Sequence, residues 1–208
     1  MNHAIKKNSL GLALAIVFLA GSTGAQAGLQ EGILAYKRGY FSAALKELAP
    51  LAEQGNVKAQ GILGEMYSSG SGVSQDHAKA VFWYRKAAEQ GSGAAQTYLG
   101  MMYERGISVP QDDNAAASWF HKAAEQGHGE ALYILGGMYE RGQGAIQADL
   151  VQSHKCFNLA VAVGFEVAQD NLDEIEAKMS PEQIEKARSL AKEWLAKHKL
   201  PTHSGPLK

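Results

Sequence analysis

Ala87-Ala88-Glu89-Gln90-Gly91 returns as Ala123-Ala124-Glu125-Gln126-Gly127, and Ala52-Glu53-Gln54-Gly55 stands before both, with Gly55, Gly91 and Gly127 each 36 residues apart. A fixed interval of this size is the signature of an array in which one small supersecondary unit is copied and stacked. The rest of the unit moves in step. Leu63-Gly64 becomes Leu99-Gly100 and Leu135-Gly136, Tyr67 becomes Tyr103 and Tyr139, and Gly70 becomes Gly106 and Gly142. Several spaced matches in one register are hard to obtain by chance, so the repeat decides the fold.

Within a unit the spacing describes two helices. Ala59, Leu63 and Tyr67 stand four apart and put one apolar stripe on a first helix. Ala80, Trp83, Tyr84, Ala87 and Ala88 follow i, i+3, i+4, i+7, i+8 on a second. Gly64, Gly100 and Gly136 fall inside the first helices, where glycine costs about 1 kcal/mol relative to alanine, so they predict close approach of the partner helix. Gly70-Ser71-Gly72-Val73 supplies positive φ for the reversal between helices. Asp76, Asp112 and Asp149 are placed to cap the second helices, and Gly91, Gly127 and Gly164 to end them.

The pattern A-x3-L-G-x2-Y-x2-G, a short Gly/Val loop ending in Asp, then A-x2-W-Y-x2-A-A-E-Q-G resembles the Sel-one-like repeat, a relative of the tetratricopeptide repeat. Residues 56–91 and 92–127 match almost completely. Residues 128–164 form a diverged copy, one residue longer in its loop, with Cys156-Phe157 where the others have Trp83-Tyr84 and Trp119-Phe120. Residues 28–55, with Gly39-Tyr40-Phe41, are similar to an ordinary tetratricopeptide unit. Residues 165–200 read as capping helices, through Ala168, Leu172 and Ile175 and then Ser180-Pro181-Glu182-Gln183, a capping serine with proline at the first helical position. The polar tail, 201–208, is expected to be disordered. The expected fold is all-α, a solenoid of helical hairpins wound as an α/α superhelix, with its terminal units as caps.

Hydrophobic residues at 46% and charged ones at 20% are globular values. The net charge of -1 and the lack of a long basic run after the first residues argue against nucleic acid as a partner. Residues 1–27 read as a secretory signal peptide: Lys6 and Lys7, an apolar run from Leu10 to Ala20, then Ala25-Gln26-Ala27 with cleavage after Ala27. That run is short of the roughly 20 residues of a spanning helix. The mature protein is therefore expected to be periplasmic or secreted, without membrane insertion. Cys156 is the single cysteine, too far from the cleavage site to carry a lipoprotein's lipid and unable to form an intramolecular disulfide.

No nucleophile, base or metal cluster stands outside the repeat pattern, so no catalytic residue, metal or cofactor is expected. Ser189-Leu190-Ala191-Lys192 matches S-x-x-K of the penicillin-recognising serine enzymes, but the S-D-N and K-T-G companions are missing. The paired cysteines of the penicillin-linked relatives of this repeat family are missing too. His77, His121, His128, His154, His198 and His203 lack ligand spacing and are expected on solvated faces, His128 with Glu130 being the nearest to a ligand pair. Trp83, Tyr84, Trp119 and Phe120 are expected in the core, and Cys156 is expected to be buried with them.

The family resemblance implies partner binding on the concave side, which the first helices line. Aligning the Leu-Gly pairs places Tyr36 and Lys37 there from the first unit, Glu65 from the second, Thr97, Met101, Glu104 and Arg105 from the third, and Tyr133, Glu140 and Arg141 from the fourth. Tyr133 is expected to be exposed and Tyr139 buried. The repeated Glu-Arg before Gly106 and Gly142 reads either as a charge pair or as two solvated groups. The implied function is that of an exported interaction module, an adaptor, assembly factor or regulator of the bacterial envelope whose partner is another protein or peptide. Its rivals are a hydrolase acting on cell-wall or β-lactam substrates and an intracellular version of the same module.

Overall fold

The computed structural model of the chain describes residues 26–199. The leader and tail read from the sequence therefore lie outside the described residues, except that Gln26 and Ala27 are exposed and helical and Lys199 follows the last helix. Every regular element among the described residues is helical. The order is α1 over 26–37, α2 Phe41–Glu53, α3 Val57–Ser69, α4 His77–Glu89, α5 Gly93–Arg105, α6 Asp113–Ala124, α7 Gly129–Arg141, α8 Leu150–Ala162, α9 Ala168–Glu176 and α10 Pro181–His198. The chain divides after Asp76 into one compact unit holding α1 to α3 and another holding α4 to α10. Among the described residues no helix is long and apolar enough to cross a membrane.

The helices meet where the glycines stand. A Cβ added to Gly100 would lie 2.6 Å from the ring of Phe120, and one added to Gly136 would lie 2.6 Å from that of Phe157. Both rings are almost wholly buried. In the first unit the same contact joins Gly32 of α1 to Leu48 of α2, again at 2.6 Å. These aromatic and leucine side chains, with Leu132, Leu135, Met138, Leu159 and Ile175 in the second unit, make up the interior.

Two buried glutamines tie successive helix pairs. Gln60 Nε2 donates to the Ala52 carbonyl and Gln96 Nε2 to the Ala88 carbonyl, each at 3.0 Å. Each carbonyl also accepts from a backbone N–H at the helix end, Gly55 to Ala52 and Gly91 to Ala88, both at 3.0 Å, so the glutamine one repeat on fills the second lone pair while satisfying its own buried amide. The loops repeat a second device: the backbone N–H of Asp76, Asp112 and Asp149 donates to the carbonyl of Tyr67, Tyr103 and Tyr139 respectively, each at 2.9 Å. With the loop so closed, the carboxylates of Asp112 and Asp149 accept from the first free N–H groups of α6 and α8. Ser180 and Gln183 form the expected capping box at α10, which packs on α8.

The expected burial of the tryptophans needs correction. Trp83 and Trp119 are half-buried, while the core positions beside them belong to Tyr84 and Phe120. Trp119 keeps one face outward, where the Lys122 ammonium lies 4.1 Å from its ring centroid. The loop reversal also contains a residue poorly suited to it. Gly72 and Gly144 have φ of 75° and 64°, but the matching residue of the intervening repeat is Ser108, at φ 55°.

Gly100→Leu should therefore lower stability by about 1 to 3 kcal/mol through overpacking against Phe120, and an unchanged denaturant midpoint would show that the ring can yield. Ser108→Gly should act in the opposite direction. Relief of a left-handed backbone, about 1 to 2 kcal/mol, exceeds the added freedom of the unfolded chain, about 0.4 to 1, leaving a net gain near 0.5 to 1 kcal/mol. A matched pair of urea titrations reads both.

Candidate functional site

A groove of about 330 Å³ opens in the second unit between α5, α7, α8 and α9. Its apolar lining is Met101, Tyr133, Ile134, Phe157 and Phe165, and its charged groups are Glu104, Arg105, Glu130, Glu140 and Arg141. Tyr133 lies tilted against Phe157 and Phe165, with ring centroids 5.8 and 5.5 Å away. Gly137 occupies the register of Met101 one repeat earlier, and in place of a side chain the Arg141 guanidinium reaches over it, 2.9 Å from where a Cβ would stand.

Glu140 accepts from Lys178 at 2.7 Å, a bridge between α7 and the turn after α9. Arg141 donates to Gln143 Oε1 at 3.0 Å, and Gln143 Nε2 donates in turn to Glu104 at 3.4 Å and Asp113 at 3.3 Å. The adjacent Glu-Arg residues thus do not bond to each other; Gln143 joins Glu104 of one repeat to Arg141 of the next. Gln143 was not singled out in the sequence, although it lies in the one loop that carries an extra residue. Phe157, Phe165, Ile134 and Asn171 were likewise missed as groove residues.

Of the ten residues expected on the binding face, Met101, Glu104, Arg105, Tyr133, Glu140 and Arg141 line this groove. Thr97 does not. It is completely buried, its hydroxyl donating to the Gly93 carbonyl at 2.9 Å and accepting from His128 Nδ1 at 3.0 Å. Thr97 is therefore withdrawn as a contact residue: its short side chain disappears under the next repeat's first turn. Tyr36, Lys37 and Glu65 belong to the first unit, where Tyr36 and Glu65 are half-buried, Lys37 is exposed and Tyr36 rests against Phe41. The contrast drawn between Tyr133 and Tyr139 also fails, since both are half-buried. Burial, with smaller contributions from Cys156 and Asp149, raises the Tyr139 phenol above its usual range.

The residues that suggested catalysis are scattered. Ser189 and Lys192 are exposed on α10, and the Ser189 hydroxyl donates to Glu193 at 3.3 Å rather than engaging Lys192. The Cys156 thiol is buried and pushed up to about 12 by desolvation, a state far from a reactive thiolate. His128 spends its Nδ1–H on Thr97.

His154 is not on a solvated face; it is fully buried. Its Nε2 lies 2.7 Å from Glu176 Oε1, and Arg188 Nη2 donates to the same oxygen at 3.0 Å. A carboxylate only accepts, so Nε2 carries the proton, and buried Nδ1 has no hydrogen-bond partner among the described residues. This clasp fastens α8, α9 and α10 to one another. Burial holds His154 below its usual range against the raising effect of Glu176. Burial also pushes Glu176 up, but the hydrogen bonds from His154 and Arg188 outweigh it and leave that carboxyl below the usual range.

Paired helices in a 36-residue period, glycine contacts between them and an open groove define a helical-repeat scaffold. The Sel1 repeat pattern matches residues 57–92, 93–128 and 129–165, more than half of the chain, and the protein belongs to the Sel1-repeat family. Such repeats generally mediate protein–protein interaction on a typically non-enzymatic scaffold. The crystal structure of a Sel1 repeat protein from Oxalobacter formigenes aligns with a TM-score of 0.68 at 29% identity, covering 82% of this chain and 69% of that one. That of c5321, a protective antigen present in uropathogenic Escherichia coli strains and displaying an SLR fold, aligns with a TM-score of 0.61 at 28% identity. The alignment covers 86% of this chain and 47% of the antigen, so the chain spans under half of that protein's length. No curated protein sequence matches the chain.

Acid should loosen the clasp in two stages. Above 6.5 His154 is neutral in both states; below it the unfolded chain takes a proton that the folded chain resists, so stability falls as pH drops toward the folded value. His121 and His128 are held low by burial as well and share this stage. Glu176 adds a second loss, beginning below 4.5, where the unfolded carboxyl protonates before the folded one. Melting temperature against pH should show both, with Glu176→Gln diminishing the lower stage, to which Glu182, held low by its hydrogen bond with Ser180, also contributes; a flat profile across the whole range would refute the clasp's contribution.

Proposed function

We propose that this protein is an exported interaction module that receives an apolar anchor side chain of a partner protein or peptide in the groove of its second unit. The observation that carries the reading is the groove itself: an apolar floor built around Tyr133, ringed by carboxylates and two arginines. Interfaces concentrate their binding energy in buried aromatic and arginine contacts of this kind. The volume, about 330 Å³, suits one or two side chains rather than a folded domain, so the partner presents a segment with charged neighbours flanking its anchor. Export rests on the basic, apolar and Ala25-Gln26-Ala27 sequence order, and an envelope role follows from it. The scattered Ser189, Lys192 and histidine side chains support a binding rather than a hydrolytic role.

The test is affinity capture from the envelope fraction, followed by titration of the recovered partner. Tyr133→Ala and Arg141→Ala should each weaken binding by about 1 to 3 kcal/mol, whereas Ser189→Ala should leave it unchanged. Gly137→Met is the sharper variant. It places in the groove the side chain that the previous repeat carries at this register, displacing the flexible end of Arg141, and it favours helix by roughly 0.5 to 0.8 kcal/mol, so it should block the partner without unfolding the chain. Wild-type binding by Gly137→Met would move the working surface elsewhere. N-terminal sequencing of the captured protein should begin near Gly28; an intact Met1 would rule out export by cleavage.

A further inference from the structure

A second cavity, of about 240 Å³, lies in the same unit but away from the groove, between α6, α7, α8 and α10. It opens beside Cys156, the residue that replaces the tryptophan of the two preceding repeats, so a small side chain stands where Trp83 and Trp119 carry an indole. Leu132, Leu135, Leu159 and Cys156 give it an apolar floor, and Trp194 of α10 adds an aromatic wall. That wall is held in place: the indole stacks on His198 at 4.0 Å between ring centroids, and His198 Nδ1 donates to the Trp194 carbonyl at 2.8 Å.

The polar lining is unbalanced. Lys155 and Lys197 bring two ammonium groups, with Gln152 and Tyr139 as further donors, against the single carboxylate of Glu125. Among the described residues neither lysine has an ion-pair partner, whereas Lys178 near the groove is neutralised by Glu140. The Cys156 thiol, pushed up to about 12, adds no negative charge. Two cations facing one carboxylate above an apolar floor favour a ligand that is anionic at one end and apolar at the other. The volume falls below the roughly 300 to 1,000 Å³ of pockets for drug-sized ligands, so it suits a compact body.

We propose that this cavity is a binding site for a small organic acid, with its carboxylate between Lys155 and Lys197 and its compact apolar body on Leu132, Leu135 and Trp194. The site is independent of the partner groove, since the two share no residue except through the helices that carry them. Glu125 sets its selectivity, repelling a second carboxylate, so monoacids are preferred to diacids.

Calorimetric titration with benzoate tests it, with benzamide as the uncharged match and acetate as the anion without a body. Benzoate should bind saturably with Kd of about 1 mM or tighter, and benzamide and acetate at least about tenfold more weakly. The double variant Lys155→Met, Lys197→Met should lose at least about tenfold, and the arginine pair should retain binding. Cys156→Trp, which refills the cavity, should abolish it; because that variant can also disturb folding, the methionine pair with helix content checked by circular dichroism is decisive. Equal binding of benzoate and benzamide, no saturation by about 20 mM, or an unaffected methionine pair would each overturn the proposal. Loss of benzoate binding on Tyr133→Ala would also overturn it, because the acid would then sit in the groove.

Discussion

Everything in this molecule follows from how closely paired helices approach at a glycine. With no side chain at Gly100, the edge of Phe120 reaches the backbone of α5, and the same holds for Gly136 with Phe157 and for Gly32 with Leu48. The contact fixes the rotation of each first helix about its axis. Once position 100 or 136 faces the partner helix, residues three before and four after border the packed face, and their neighbours turn away from it. The groove is a product of that rotation: Tyr133, three residues before Gly136, emerges at the border and lies on the ring that Gly136 admits.

The same geometry explains what could and could not be read from the sequence. The period, the glycine contacts, the Asp112 and Asp149 caps and the Ser180 capping box depend on local rules and were legible. The fate of Thr97 was not, although it shares Tyr133's register. Both sit three residues before a contact glycine, but threonine is short enough to be covered and to satisfy its hydroxyl on Gly93 and His128, while tyrosine is long enough to come out. The buried clasp of His154 was invisible for a related reason. Nothing local to α8 reveals that Glu176 and Arg188, 22 and 34 residues further along the chain, arrive to compensate an imidazole in the interior.

Both cavities arise where the third repeat departs from the other two. Gly137 replaces the methionine found at Met101, leaving room for the Arg141 guanidinium and the groove beneath it. Cys156 replaces a tryptophan, leaving room for Trp194 to approach and for the space beside it. Two losses of side-chain volume in the diverged third copy thus coincide with the groove and with the second cavity. Their linings differ in kind: mixed signs balanced through Gln143 and Lys178 in one, and in the other two lysines that form no ion pair among the described residues.

The loop between α7 and α8 also binds its neighbour in a way that the other loops cannot. The Ala145 N–H donates to Asn114 Oδ1 at 2.7 Å, and Gln143 reaches Asp113 and Glu104. One repeat earlier the positions of Asp113 and Asn114 hold His77 and Ala78, which offer no side-chain oxygen to accept these bonds. The third repeat therefore recognises the second and would not recognise the first. The order of these two copies is thereby specified, and removing the second unit, or inserting another between it and the third, would break this adjacency even where every helix pair stayed intact.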